Sequence, residues 1–173
     1  MKRVDISAGA ILLLSVIYFF GGMTSLAALL LAVIVHELGH IAAIALYGGR
    51  VHGLKVSISG LCIICSGTMG TAESVICLCA GPAAGFALAY AASYFGNLSQ
   101  NLLLIKTAGF SLVLSVYNSL PALPLDGGRA LESIARCFGG TVFAQTLLEF
   151  TGMLTGAALL FAGAFFIRRQ FGA

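Results

Sequence analysis

Long apolar runs, broken by glycine pairs and one proline-bearing stretch, organise this chain. The first run covers about 7–20 and stops at Gly21-Gly22, and the second covers about 25–47 and stops at Gly48-Gly49. Glycine accepts left-handed backbone angles, so each pair reads as a helix stop. A third run of about 72–95 contains Gly81-Pro82 and Gly85. A polar turn through Asn97, Ser99, Gln100 and Asn101 separates it from a fourth run of about 102–120. Pro121 and Pro124 then remove helix hydrogen bonds and force an irregular segment. Asp126-Gly127-Gly128-Arg129 follows, then a short amphipathic helix to about 138 and a fifth apolar run of about 141–167. Between about 51 and 69 the pattern changes, with Ser57 and Ser59 alternating with apolar residues around Gly60. Period-two alternation around a glycine predicts a β-hairpin. Unpaired strand edges do not face lipid, so such a hairpin lies beside protein or at the interface.

Composition turns these runs into membrane spans. The chain has 173 residues, of which 60% are hydrophobic and 9% charged, with a mean hydropathy of +1.05. A soluble domain carries roughly 25% charged residues, and a helix of about 20 apolar residues crosses the hydrocarbon layer. The pattern predicts an all-α integral membrane protein: one domain over 1–173, a polytopic helical bundle of about five spans, with a small membrane-associated β-hairpin. Lys2 and Arg3, then Arg50 and Lys55, then Arg129 and Arg136 flank the runs, and the positive-inside rule places those regions on the cytoplasmic side. On that count Arg168 and Arg169 fall on the opposite side, a weak vote against the last span's orientation. The opening Met-Lys-Arg reads as the flank of a retained anchor rather than a cleaved leader. No basic patch with interleaved aromatics is present, which argues against nucleic-acid binding. The five cysteines include Cys62 and Cys65 as C-x-x-C and the pair Cys77 and Cys79. They make a poor zinc knuckle and read as small packing residues.

His36-Glu37-Leu38-Gly39-His40, inside the second run, fits H-E-x-x-H. Helix positions four apart share a face, so His36 and His40 can offer imidazole nitrogens to one ion. Glu37 sits beside the first ligand, within reach of a coordinated water whose pKa zinc brings to about 7. A carboxylate there can take the proton and return it to a departing amine. Three ionisable residues inside an apolar span cost at least a few kcal/mol each at the bilayer centre. The competing readings are a polar cluster that joins helices and a proton relay. A catalytic zinc usually takes three protein ligands plus water. The third comes from Asp5, His52, Glu73, Asp126, Glu132, Glu149 or a cysteine. Asp126 is the best placed, because it follows two prolines in backbone that must line a cavity or pack on protein.

These residues resemble the site-2 protease family of intramembrane zinc metalloproteases, which pairs H-E-x-x-H with an Asn-Pro-Asp-Gly-type motif on a later span. Here the second motif reads Asn118-Ser119-Leu120-Pro121-Ala122-Leu123-Pro124-Leu125-Asp126-Gly127-Gly128-Arg129. The resemblance runs from the first span to the helix after Arg129. It implies a zinc-dependent endopeptidase acting in or next to a transmembrane segment of a membrane-associated protein substrate. One catalytic zinc ion is implied, with Asp126 as third ligand beside His36 and His40, and Glu37 as base. Asn118 is implied to position the substrate strand or its carbonyl; the alternative is that it satisfies backbone groups freed by the prolines. The hairpin looks like the family's strand region beside the active site, where addition of the substrate to a strand would unwind its helix before cleavage. Gly81-Pro82-Ala83-Ala84-Gly85 resembles the family's Gly-Pro segment, although relatives commonly carry Asn where Gly85 stands.

The short form looks most like sporulation-type members in a bacterial cell membrane, which release a membrane-tethered transcription factor by regulated intramembrane proteolysis. A separate regulatory membrane protein is a plausible partner. Gln145 and Glu149 in the last run read either as part of a gate or as a helix–helix hydrogen bond. Two other classes compete with the protease: a metal or proton transporter, and a catalytically silent membrane scaffold.

Overall fold

The computed structural model describes the backbone at residues 4–6, 8–48, 50–57, 60–66 and 70–171, and side chains at 12, 14–48 and 70–169. The order of elements is β1 (Val4–Ile6), α1 (Ala8–Leu46), β2 (Arg50–Ser57), β3 (Gly60–Ser66), α2 (Thr71–Ser99), α3 (Leu102–Asn118) and α4 (Asp126–Phe171). By length and composition three helices can cross a membrane, Leu14–Leu46, Thr71–Ser99 and Asp126–Arg169, and the 17-residue Leu102–Asn118 is a shorter apolar helix. Their outward faces carry large apolar side chains such as Phe19, Phe20, Tyr90, Phe138 and Phe161. A surface of that kind is stable against lipid rather than water. The chain is a helical membrane protein.

The five expected apolar runs fall on four helical elements, two of which are each a pair of helices joined at a single glycine. The runs at about 7–20 and 25–47 belong to one element, α1, and the run at about 141–167 is the latter part of α4. The reason lies in the two glycine pairs. Each interrupts the helix at one residue, Gly22 (φ 69°, ψ −176°) and Gly140 (φ 73°, ψ −171°), without inserting a loop. These angles are open only to glycine. The break in α1 has a large consequence. β1 pairs in parallel with β2, Val4 opposite Leu54 and Ile6 opposite Val56, so the two ends of α1 meet at one sheet. A straight helix of 39 residues would hold its ends about 58 Å apart. The chain therefore reverses within α1, at Gly22.

The region expected to form a membrane-associated hairpin, about 51–69, contains β2 and β3. They pair antiparallel from Arg50 opposite Ser66 to Ser57 opposite Gly60, with a register shift between Val51 and Gly53 that leaves His52 as the extra residue. Residues 58, 59 and 67–69 lie outside the described residues.

Small residues set the helix packing. Ala28 and Ala32 on α1, Gly81, Gly85, Ala89, Ala92 and Gly96 on α2, and Thr107, Ser111 and Ser115 on α3 are buried. In lipid no hydrophobic force draws helices together, so association relies on close backbone approach and on hydroxyl hydrogen bonds. Ser111 Oγ donates to the Gly85 carbonyl across the α2–α3 contact at 2.8 Å. A Cβ on Gly96 would lie 3.0 Å from Leu104 Cβ and from the Ile105 nitrogen. That clearance admits the tight α2–α3 turn, in which Asn101 caps α3 through Oδ1 to the Leu103 and Leu104 amides.

Candidate metal centre

His36 and His40 lie one turn apart on α1, both buried, at 3% and 7% exposure. Gly39 between them explains how α1 comes close enough to α2. A Cβ there would stand 2.6 Å from the Ala80 carbonyl oxygen and 2.7 Å from Ala84 Cβ. Gly81 does the same for His40, since a Cβ at that position would lie 2.1 Å from His40 Nε2. On the other ring edge His40 Nδ1 is 2.7 Å from the Cys77 carbonyl oxygen. A carbonyl only accepts, so Nδ1–H donates and the neutral ring keeps its lone pair on Nε2.

That lone pair points at Asp126. Asp126 Oδ2 is 3.2 Å from His36 Nε2 and 3.2 Å from His40 Nε2. The loop between α3 and α4 delivers the carboxylate. Leu120 N, Ala122 N and Leu125 N bond within the loop to Tyr117, Leu120 and Ala122 carbonyls, and the Leu123–Pro124 peptide is cis. The loop wraps the first turn of α4, where a Cβ on Gly127 would lie 2.3 Å from the Ser119 oxygen and one on Gly128 would lie 2.4 Å from Ala122 carbonyl atoms. Any side chain at 127 or 128 would unseat Asp126.

The donor set fits a divalent metal. One ligand atom from each of His36, His40 and Asp126 lies within 4.8 Å of the others. Two lone-pair acceptors at 3.2 Å repel unless a cation or proton sits between them. Tetrahedral zinc with bonds of about 2.0–2.1 Å places its ligand atoms about 3.3 Å apart. Among the described residues no other group of three His, Cys, Asp or Glu side chains meets this condition. Beside the cluster Glu37 Oε2 is buried and has no hydrogen-bond partner. A carboxylate held without a partner next to a metal site is available to move a proton.

The remaining sequence candidates go elsewhere. Glu73 accepts from the Gly70 amide at the start of α2 at 2.9 Å, and Glu132 pairs with Arg136 on α4. Glu149 and Gln145 are exposed on α4. Cys77 is buried on α2 and contributes its carbonyl, whereas Cys79 and Cys137 are exposed. The side chains of Asp5, His52, Cys62 and Cys65 lie outside the described residues. Asn118, at the end of α3, donates from Nδ2 to the Leu114 carbonyl of its own helix at 3.1 Å. The Cys77 carbonyl and Gly81 had not emerged as site residues from the sequence. A backbone acceptor leaves no mark on side-chain patterning, though the Gly81-Pro82 pair within an apolar helix hints that something approaches closely there.

Fold and site together define a helical membrane protein in which two histidines and an aspartate cluster as a group that could hold a metal ion. No protein-family model matches the chain, and no curated protein matches it in sequence. Among solved structures it is similar to the site-2 protease from Methanocaldococcus jannaschii, with a TM-score of 0.74 and 22% sequence identity. The likeness covers 95% of this chain and 81% of that one. The chain has the site-2 protease fold.

Proposed function

We propose that the protein is a zinc-dependent intramembrane endopeptidase that hydrolyses a peptide bond in or next to a transmembrane segment of another protein. One observation carries this reading: two histidines from one turn of an apolar helix and an aspartate from a proline-bearing loop meet with both Nε2 atoms 3.2 Å from the same carboxylate oxygen. In this reading His36, His40 and Asp126 hold the ion, which when bound polarises a carbonyl and acidifies water. Glu37, unpartnered beside them, takes a proton from the attacking water and returns it to the leaving amine. The Cys77 carbonyl fixes the His40 tautomer, so that Nε2 stays unprotonated. Burial of the cluster keeps the attacking water out of competition with bulk solvent. A metal used only as a structural clasp would not need an unpaired carboxylate next to it.

The finer assignments belong to the same proposal. Residues 1–173 form one domain, the edge of the hairpin pairs with the substrate strand, and Asn118 turns from the Leu114 carbonyl to hold that strand. The substrate is a membrane-associated protein in the same bilayer, with a regulatory membrane protein as a further partner. The site opens toward the cytoplasm, by the distribution of Arg50, Lys55, Arg129 and Arg136. Release of a membrane-tethered transcription factor, as in sporulation-type relatives of a bacterial membrane, is the physiological setting proposed.

The test is cleavage of a model single-span substrate by the purified chain in detergent. Wild type is expected to cut it, chelation to stop the reaction, and Glu37→Gln to lower the rate by about 10²–10⁴-fold while zinc is retained. Wild-type rates in Glu37→Gln would reject the mechanism. Zinc flux into proteoliposomes that depended on Asp126, without cleavage, would move the protein to the transporter class.

A further inference from the structure

Among the described residues three buried side-chain polar atoms have no hydrogen-bond partner: His36 Nδ1, Glu37 Oε2 and Ser115 Oγ. The proposed reaction uses the Glu37 oxygen, but neither of the other two. Ser115 is wholly buried, at 0% exposure. A serine in a helix commonly turns its hydroxyl back to the carbonyl four residues earlier. Its neighbours on the same stripe are satisfied, Thr107 Oγ1 by the Leu103 carbonyl and Ser111 Oγ by the Gly85 carbonyl. Ser115 alone on that stripe is not.

The helix registers place Ser115 and His36 at the same height. His40 meets Cys77 and Gly81, and Gly39 meets Ala80 and Ala84, so this part of α1 runs opposite to α2. Gly85 meets Ser111 and Ser115, and Gly96 meets Leu104 and Ile105, so α3 also runs opposite to α2. The two therefore run in the same direction, tied at one end by Lys106 Nζ donating to Ser25 Oγ at 2.8 Å. From that tie His36 lies eleven residues along α1 and Ser115 nine along α3, heights that agree to about 3 Å at 1.5 Å per residue. α2 gives the same answer independently. His36 is one turn from His40 as Gly85 is one turn from Gly81, and a Cβ on Gly85 would lie 2.1 Å from Ser115 Oγ.

We propose that Ser115 is the positioning residue of His36, its hydroxyl accepting the hydrogen bond of His36 Nδ1–H as the Cys77 carbonyl accepts that of His40. The inference rests on the reading of His36 as a metal ligand. A histidine that binds through Nε2 carries its proton on Nδ1 and needs an acceptor there. Glu37, the other unpartnered acceptor, is the next residue on the helix, and adjacent helical positions face different ways. Rotation about the Ser115 Cα–Cβ bond brings its oxygen toward α1 without moving the backbone. Gly85, lacking a side chain, leaves room for that rotation.

The experiment measures zinc affinity, by competition with a chromophoric chelator, for the detergent-purified full chain as wild type, Ser115→Ala and Ser111→Ala, with metal-free melting temperatures alongside. Ser115→Ala is expected to weaken zinc by roughly 10–100-fold with an equal or higher metal-free melting temperature, since the hydroxyl is unpartnered without metal and takes up the His36 bond when the ion fixes that ring's tautomer. Ser111→Ala is expected to lower the melting temperature and leave zinc affinity unchanged. Wild-type zinc affinity in Ser115→Ala overturns the inference and leaves the metal site standing. A Ser115→Ala chain that loses affinity and metal-free stability together behaves as a packing residue and also overturns it. Failure of the wild type to bind zinc overturns the reading of the site and this inference with it.

Discussion

At the scale of single residues the His36–His40–Asp126 cluster is held by what is missing as much as by what is present. His40 lies against Gly81 so closely that a Cβ would fall 2.1 Å from its Nε2. Gly81→Ala must push the ring or the helix, and overpacking of this kind costs about 1–3 kcal/mol. We expect a lower melting temperature and weaker zinc binding from Gly81→Ala, both read on the purified chain. Gly109, where a Cβ would meet nothing within 4 Å, supplies the control: Gly109→Ala should leave zinc binding unchanged and hold or raise the melting temperature. The clustering of the three candidate ligands was legible in the sequence, because the spacing of His36 and His40 has a direct helical meaning and Asp126 follows two prolines that interrupt the helix. The alternatives Glu73 and Glu132, near the ends of the expected runs, have other partners in the structure, one the Gly70 amide and the other Arg136. Asn118 was named with two roles, and neither covers its bond to Leu114 within the same helix.

At the scale of elements the glycine pairs decide the architecture. Sequence pattern read Gly21-Gly22 as a helix stop and ended the short amphipathic helix at about 138, just before Gly139-Gly140, because an apolar-run pattern records where helices break. The structure has the breaks there, at Gly22 and Gly140, each joining two helices without an intervening loop. Both residues have positive φ with open space around them, so a methyl group there strains the backbone without a clash. Gly22→Ala should cost about 1–3 kcal/mol. It should appear as a lower melting temperature with zinc stoichiometry intact, since Gly22 lies well over three turns from His36 along α1. Loss of zinc equal to that of an Asp126 variant would contradict the separation of the two features. The ends of α2 and α3 were closely placed by the polar turn at 97–101, where Asn101 and Gly96 do the capping and the close approach.

At the scale of the whole molecule, the apolar exterior and small-residue interior follow from composition, whereas the meeting of both ends of α1 at one sheet does not. That long-range pairing of β1 with β2 depends on contacts fifty residues apart, which local patterning does not encode. It places the amino-terminal strand and β2 at the same end of the molecule, in line with basic residues flanking both. Cys137, exposed beside Arg136, tests the orientation. In a chain whose other cysteines are replaced, a membrane-impermeant maleimide should label Cys137 only from the cytoplasmic side, and labelling only from outside would invert the topology. The central claim is a metal held by His36, His40 and Asp126. It is tested most directly by the zinc content of the purified chain as wild type and as Asp126→Ala. The account predicts close to one zinc per wild-type chain and affinity weakened by more than about 100-fold in Asp126→Ala, beyond what loss of an outer partner costs. Full zinc retention by a folded Asp126→Ala would contradict it.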